Sequence, residues 1–435
     1  MHQRTWLTLL TFPLIVAFTV PMFHRQEPRQ LEAMQRAAAG DDDPLAGLAD
    51  IQDVIAHIRN SYVEVPNLGK VLDGGIQGAL ERASLLNSYL SPEETQLPSP
   101  GPGETGLTLV KDKIIAYVVG VAPNSPAAHA GFQIGDWVRK MDNEPISSMS
   151  HWAMERRLRG PVGSEVEILR MSAVTRGQKK IVIKREKLKR QPIVSSVGPK
   201  AVMVALPDLS EGRAAELKAI LKAADTKLPI VLDIRNCPSG IYGEAAKVAS
   251  IFGCKGTFAT LQEVGQADKP LAVPPNGNAR FKKIAVLVGQ GTMGPAEALA
   301  FALKNLGTQP TDAQNPATVI VFLGERTTGN AVELKTLPLR QGGAVEIVAK
   351  RWMGAGGERL DMGLTGGQLR STGLAPDYSL RGVPDNEDFL PRVLEALEKG
   401  PNKPKEVPQK VAHIGQGMFE SIFGAAYPSM CPISA

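Results

Sequence analysis

The chain has 435 residues, of which 43% are hydrophobic and 21% charged, with 49 Lys and Arg against 44 Asp and Glu. At roughly 150 residues per domain this length predicts two or three domains, and the composition excludes wholesale disorder and a multi-spanning membrane protein. A net charge of +5 spread over so long a chain favours no acidic partner.

The amino terminus is uncharged over residues 6–23, a stretch that would span roughly 27 Å as a helix. Residues 1–24 are therefore predicted to be a membrane anchor or a signal. Residues 20–23 offer no small-x-small cleavage site, which favours an uncleaved anchor. The polar residues 25–44 are interpreted as a spacer that lifts the folded part off the membrane.

A helical region is predicted over residues 45–97, because apolar residues recur at helical spacing in 51–58 and again in 72–80. A stretch rich in Pro and Gly follows at residues 97–106. These features predict two amphipathic helices ahead of a second domain.

A β-rich domain is predicted over residues 104–190, with short strands arranged around one helix and a closing hairpin. Ser148 or Ser150 is the expected N-cap of that helix. The basic run 184–190 could contact anionic lipid or nucleic acid, but a solvated strand end explains it equally well. We therefore predict no nucleic-acid partner.

Apolar strands alternate with amphipathic helices over residues 191–400, a pattern typical of an α/β layered core. Residues 401–435 are rich in Pro, lack a period and are interpreted as a tail.

The three cysteines are Cys237, Cys254 and Cys431, with no CxxC pair and no histidine near them. They predict buried structural thiols rather than a zinc site or a disulfide framework. One pair could still form a single disulfide in an oxidising compartment. No metal and no cofactor are predicted.

The β-rich domain carries a specific pattern of Gly, Pro and Asp in NSPAAHAGFQIGDWVRKMDNEPI, residues 124–146, and in RLRGPVGSEVEILRM, residues 157–171. It resembles a PDZ domain. The resemblance implies that a peptide adds as a strand to an open sheet edge and that backbone N–H groups capture its terminal carboxylate. The alternative is a PDZ fold that only braces its neighbour. The implied carboxylate-binding loop consists of Gly106, Leu107, Thr108 and Leu109.

The wider chain, over roughly residues 45–380, resembles the tail-specific (carboxyl-terminal processing) peptidases. The resemblance implies an α/β fold with a ClpP/crotonase-like layered core, an inserted PDZ domain and an N-terminal helical segment. It also implies export, so the protein is expected on the periplasmic or extracytoplasmic side of a membrane. Six segments carry it in order: NSYVEV, LLNSYLSPEE, LSEGRAAELKAIL, VLDIRNCPSG, GERTTGN and GLAPDYSL.

Those peptidases cleave with a Ser nucleophile and a Lys base, and the resemblance implies that both are replaced here. Gly294 stands at the nucleophile position in GTMGPAE, and Pro295 follows it where a backbone N–H should serve the oxyanion hole. Asn330 stands at the base position and Leu334 at the position of the supporting Gln. Ser239 replaces the glycine that gives the second oxyanion donor.

A relocated dyad is the alternative, with Thr292, Ser239 or Cys237 as nucleophile and Lys335 nearby. The retained residues Glu297, Gly324, Glu325 and Gly329 are expected to hold the turn and the helix.

The sequence therefore predicts a pseudopeptidase: a membrane-tethered, non-catalytic binding or scaffolding protein that captures protein C-termini or joins a membrane-associated complex. An active serine-type endopeptidase with a displaced dyad is the second hypothesis. A third is a structural subunit of a homo- or hetero-oligomer, in which the chain itself or a neighbour would plug the PDZ groove.

Overall fold

The computed structural model describes residues 47–112, 114–275, 281–308, 318–365, 368–380 and 389–402. The predicted anchor, the spacer and all but two residues of the predicted tail lie outside these ranges. Within them, no helix is both long and apolar enough to cross a membrane. The chain divides into two compact units, Met1–Pro66 and Asn67–Ala435.

The described part of the first unit is helix α1 (Gly47–Ser61). The second unit begins with α2 (Leu68–Ala83), where the side chain of Asn67 accepts a hydrogen bond from Lys70 N at 3.1 Å. Such a bond satisfies one of the free N–H groups at a helix start. Strand β1 (Ser88–Leu90) and the short helix α3 (Pro92–Thr95) follow.

The next domain is built from short antiparallel strands and has its own apolar core. Its main sheet runs in the order β3-β4-β5-β8-β9, with β6 paired to β5. Ser150 rather than Ser148 caps its helix, accepting from Ala153 N at 3.1 Å. The elements are β2 (Gly103–Glu104), β3 (Leu107–Asp112), β4 (Ile115–Val121), α4 (Pro126–His129), β5 (Trp137–Met141), β6 (Glu144–Pro145), a 3-10 turn (Ile146–Ser148), α5 (His151–Leu158), β7 (Arg159–Gly160), β8 (Glu165–Met171) and β9 (Gln178–Lys184).

The remaining elements make up the α/β core in chain order. They are β10 (Val194–Val197), β11 (Val202–Ala205), α6 (Arg213–Lys222), β12 (Ile230–Asp233), β13 (Asn236–Cys237), α7 (Tyr242–Ile251), β14 (Thr257–Glu263), β15 (Lys269–Ala272), β16 (Lys283–Val288), β17 (Gly291–Thr292), α8 (Pro295–Gly307), β18 (Val319–Gly324), β19 (Val332–Pro338), β20 (Ala344–Gly354), β21 (Met362–Thr365), β22 (Gln368–Ser371), β23 (Tyr378–Ser379) and α9 (Leu390–Lys399).

A largely parallel sheet in the order β10-β11-β12-β16-β18-β23 forms the centre of the core. Successive residues of a strand point to opposite faces. Ile230 and Leu232 accordingly join the apolar layer of α6, α7 and α8, whereas Val231 packs on the opposite face with Val393 of α9. Helices on both faces of a parallel sheet give the layered α/β core that the alternating pattern predicts.

A second, antiparallel sheet combines strands that are far apart in sequence. It runs β1-β20-β14-β15, with β19 also paired to β20. The 11-residue strand β20 is only partly buried along most of its length. Such a strand lacks the alternation of buried and exposed positions from which strands are predicted, and the sequence did not predict it.

Candidate active site and peptide groove

The turn from β17 into α8 presents Gly294 at the N-cap of the helix, with φ 54° and ψ −114°. Pro295 occupies the first turn, where its missing N–H costs no helical hydrogen bond. A sharp turn from strand to helix is the setting in which α/β-hydrolases expose a nucleophile. Here the residue at the turn has no side chain.

Glu297 ties this turn to the loop before β19. Its fully buried carboxylate accepts hydrogen bonds from Gly294 N at 3.1 Å, Gly329 N at 2.6 Å and Asn330 N at 2.8 Å. Burial raises the pKa of Glu297 to about 7, against the effect of these hydrogen bonds. One carboxylate therefore holds two of the predicted site positions, Gly294 and Asn330, side by side.

The space around Gly294 is open enough for a small side chain. A Cβ atom at this position would lie 3.4 Å from Asn330 O and 3.6 Å from the hydroxyl oxygen of Tyr242, both ordinary contacts. The Tyr242 ring stacks on Trp352 at 3.9 Å between centroids, and Trp352 Nε1 donates to Glu333 at 3.0 Å. Burial holds the pKa of Tyr242 well above its usual range. Local spacing could not predict this pair, because its members lie 110 positions apart on α7 and β20.

The other predicted site positions are more exposed. Leu334 lies on β19 with 36% of its side-chain surface exposed, and the neighbouring Lys335 is exposed as well. Ser239 is exposed on the turn after β13. The structure thus brings Gly294, Pro295 and Asn330 together, and leaves Leu334 and Ser239 at the surface.

Two of the candidate replacement nucleophiles are held in structural contacts. The hydroxyl of Thr292 is fully buried, donating to Ile234 O at 2.7 Å and accepting from Gly289 N at 3.0 Å. Cys237 is a free, fully buried thiol whose pKa burial raises well above its usual range. A thiol acts as a nucleophile through its thiolate, which this environment disfavours.

The predicted carboxylate-binding loop leads into β3, the terminal strand of its sheet. Gly106 has φ +84°, and a Cβ there would collide with Ser125, so both the conformation and the space require glycine. The side chains of Leu107 and Leu109 point into the domain core. Thr105 N donates to Leu158 O at 3.2 Å, joining the loop to the end of α5. The space between β3 and α5 is called the groove below.

A segment from the end of α2 to β1 crosses the far end of the groove. Glu81 pairs with Lys111 of β3 at 2.6 Å, and the buried Lys111 ammonium also donates to Met149 O at 2.5 Å. Ser88, fully buried, accepts a hydrogen bond from Trp152 N of α5 at 2.9 Å. The segment therefore contacts both walls. Its contact at Lys111 lies five residues, or roughly 17 Å of strand, from Gly106 at the start of the loop.

His151 lies at the start of α5, at this end of the groove. The pKa of His151 is lowered to about 4, mainly by burial and to a lesser extent by the positive charge of nearby Lys111. The Nδ1 atom of His151 has no hydrogen-bond partner among the described residues. A neutral imidazole is therefore expected at physiological pH.

The same domain rests on the turn that carries Gly294. Asn236 Nδ2 donates to Val121 O of β4 at 2.7 Å, and Met293 packs against Val119. At Gly291 a Cβ would lie 2.6 Å from Val119 O, so the absence of a side chain permits the close approach. The groove domain and the candidate active site thus share one contact surface.

Comparison with known proteins agrees with this architecture. A PDZ domain model matches residues 117–169, and the model of peptidase family S41 matches residues 200–379. Together with the relatives described next, these matches support the predicted tail-specific peptidase family. The predicted family, the PDZ domain and the layered α/β fold are confirmed.

Relatives of the peptidase family resemble most of the chain. A probable CtpA-like serine protease of Staphylococcus aureus (strain MRSA252) is 26% identical over 363 residues, covering 79% of this chain and 68% of the relative. The corresponding protein of Staphylococcus haemolyticus is 24% identical over 360 residues, covering 78% and 69%. The solved photosystem II D1 C-terminal processing protease shares the fold, with a TM-score of 0.57 and 20% identity over 84% of this chain and 95% of that one.

Proposed function

We propose that this chain is a non-catalytic member of the peptidase family that captures the C-termini of other proteins in its PDZ groove. The observation that carries the proposal is Gly294, a residue without a side chain at the head of α8, followed by Pro295. The strand-to-helix turn around it supports its assignment to the nucleophile position.

Besides the nucleophile, the chemistry of the family would need a general base and a full set of oxyanion donors. An amide such as that of Asn330 cannot act as a general base near neutral pH. Pro295 has no N–H to offer an oxyanion, and losing one such donor costs about 100- to 1,000-fold in rate. Losing the nucleophile as well removes the covalent route.

Peptide binding requires an accessible groove and free backbone groups, but none of the catalytic side chains. The edge of β3 that faces the groove pairs with no described strand, which leaves room for an added peptide strand. Leu107 N is already used, because it donates to Thr105 Oγ1 at 3.3 Å. The segment at the far end leaves room for about the last five residues of a tail. The groove therefore suits short, free C-terminal tails.

We further propose that the protein is tethered to a membrane and faces the extracytoplasmic side. The uncharged residues 6–23 support the tether. The test is fractionation of cells into membrane and soluble parts, with protease added to intact spheroplasts. Recovery in the soluble cytoplasmic fraction would exclude both parts of this proposal.

Binding is tested by measuring the affinity of the purified full chain for a library of C-terminal peptides. Each peptide is paired with a copy whose carboxylate is amidated. A preference for the free carboxylate of at least tenfold is expected, and a five-residue tail should retain the affinity of a ten-residue tail with the same end. Equal binding of free and amidated peptides would refute carboxylate capture.

The absence of catalysis is tested by incubating the full chain with an unfolded protein substrate. No hydrolysis above the rate without enzyme is expected. The matched variant Gly294→Ser/Pro295→Ala/Asn330→Lys restores the three missing groups and serves as the comparison. Hydrolysis by the unaltered chain that disappears on changing Ser239→Ala would instead support the relocated dyad.

A further inference from the structure

We propose that a cavity on the outer side of α5 binds an acidic peptide segment. The cavity has a volume of about 370 Å³ and lies between α5, the loop after α3 and the turn that follows β7. It is separate from the groove, because Leu158, which faces the domain core, lies on the opposite side of α5 from Trp152 and Arg156. The inference is therefore independent of the proposed function.

Positive charge dominates the wall of the cavity. Four arginines line it against a single carboxylate, that of Glu94. Arg157 forms an ion pair with Glu144. The other three, Arg156, Arg159 and Arg185, have no carboxylate within ion-pair distance in the part of the chain that the structure describes. Glu155 interacts with Arg159 only at longer range.

Arg185 is the most unusual of these residues, because the residue as a whole and its Nε atom are buried. It donates to Arg157 O at 2.6 Å, to Glu165 O at 2.7 Å and to Ser164 Oγ at 3.0 Å, all uncharged acceptors. Its Nε has no partner among the described residues, and burial lowers its pKa. Asp142 attracts this charge only at longer range. A buried charge without a counter-charge in contact is costly, so an anion in the adjoining cavity would reduce this cost.

Gly160 makes this arrangement possible. A Cβ at residue 160 would lie 2.9 Å from Arg185 Cδ and 3.0 Å from its Nε. The Arg185 side chain is therefore packed closely against the backbone of Gly160. It has little conformational entropy left to lose when an anion binds in the cavity.

The rest of the wall favours a peptide over a small inorganic anion. Arg156 lies over the Trp152 ring at 5.4 Å, and Leu97, Pro100 and Pro161 add apolar surface. Arginine forks bind carboxylates with two parallel hydrogen bonds. A segment that carries Glu or Asp next to an apolar side chain would match both properties.

The test uses the purified full chain and a fluorescent peptide of alternating Glu and Leu with an amidated C-terminus, which removes the carboxylate that the groove would capture. Peptides with Gln or Lys in place of Glu are the comparisons. The Glu peptide is expected to bind more tightly than either, and increasing salt should weaken its binding. Equal binding of the Gln peptide would overturn the proposal.

Arg156→Ala and Arg159→Ala should each weaken binding about tenfold, since each removes a charge-assisted hydrogen bond to the peptide. Arg139→Ala, an exposed arginine on β5 outside the cavity, is the matched control and should leave the affinity unchanged. Equal effects of all three substitutions would indicate nonspecific electrostatic attraction and would refute the proposed binding site. So would binding of inorganic phosphate or of phosphatidylserine vesicles without binding of the Glu peptide.

Discussion

At the scale of single residues, the buried carboxylate of Glu297 organises the turn that carries the predicted nucleophile position. Glu297 binds three backbone N–H groups from two loops and fixes the turn at Gly294. The sequence identified both residues, because they fall in the short string GTMGPAE. It did not show their link to Gly329, since a hydrogen bond across 32 positions leaves no mark on local spacing.

Glu297 should make stability depend on pH. Its folded-state pKa of about 7 lies above the ordinary value of 4.5, so its contribution is complete below pH 4.5 and is lost as the pH rises through 7. Relative to Glu297→Gln, the unaltered chain should lose on the order of 3 kcal/mol of unfolding free energy between pH 4.5 and 8. Urea denaturation at both pH values measures this difference, and a constant difference would contradict the assignment.

Gly294→Ser should fold. A Cβ fits at 3.4 Å from Asn330 O, but a positive φ of 54° disfavours any L-residue, so we expect a loss of about 1–3 kcal/mol. The variant should still hydrolyse nothing, because Pro295 and Asn330 remain. Thermal or urea unfolding measures the loss, and a value above about 4 kcal/mol would show that the space is not available.

At the scale of elements, the crossing segment decides how the groove can be used. Its ion pair between Glu81 and Lys111 joins α2 to β3, with 1% of the Lys111 side chain exposed. The helix periodicity predicted α2, but not that its last turn would close the end of a peptide groove. That contact depends on tertiary packing between elements 30 residues apart.

The two partners of this ion pair should respond unequally to mutation. Glu81→Ala leaves a buried ammonium without its counter-charge and should cost about 3 kcal/mol, whereas Lys111→Met replaces the charge by an apolar chain of similar size and should cost far less. Urea denaturation of both variants gives the comparison. A larger loss for Lys111→Met than for Glu81→Ala would refute this explanation.

At the scale of the whole molecule, the alternating pattern of residues 191–400 predicted the layered α/β core. Its central strands β12, β16 and β18 are largely buried, and their apolar runs are visible in the sequence. The antiparallel sheet escaped prediction because β20 is partly buried on both faces and pairs with strands as distant as β1. The contact between the PDZ domain and the core could not be predicted from the sequence either. It depends on the close approach of Gly291 to Val119 O, which a side chain at residue 291 would prevent.

Gly291→Ala should loosen that contact. Its Cβ would lie 2.6 Å from two backbone oxygens, Val119 O and Arg235 O. Backbone atoms cannot rotate out of the way as the end of a side chain can. Faster amide hydrogen exchange in β4 is expected, with the core sheet unchanged. Gly289→Ala is the control, since its nearest neighbours would be 3.7 Å away. Unchanged exchange in β4 would show that the two domains are not held by this approach.

The turn at Gly294 also bears on how proteins of this kind are classified. Its shape is maintained by Glu297 and by the packing of α8. Natural selection for stability alone would therefore preserve the turn whether or not a chain cleaves peptides. Architecture alone would not separate a cleaving member of the family from one that had lost its nucleophile, and only the identity of a few side chains would tell them apart.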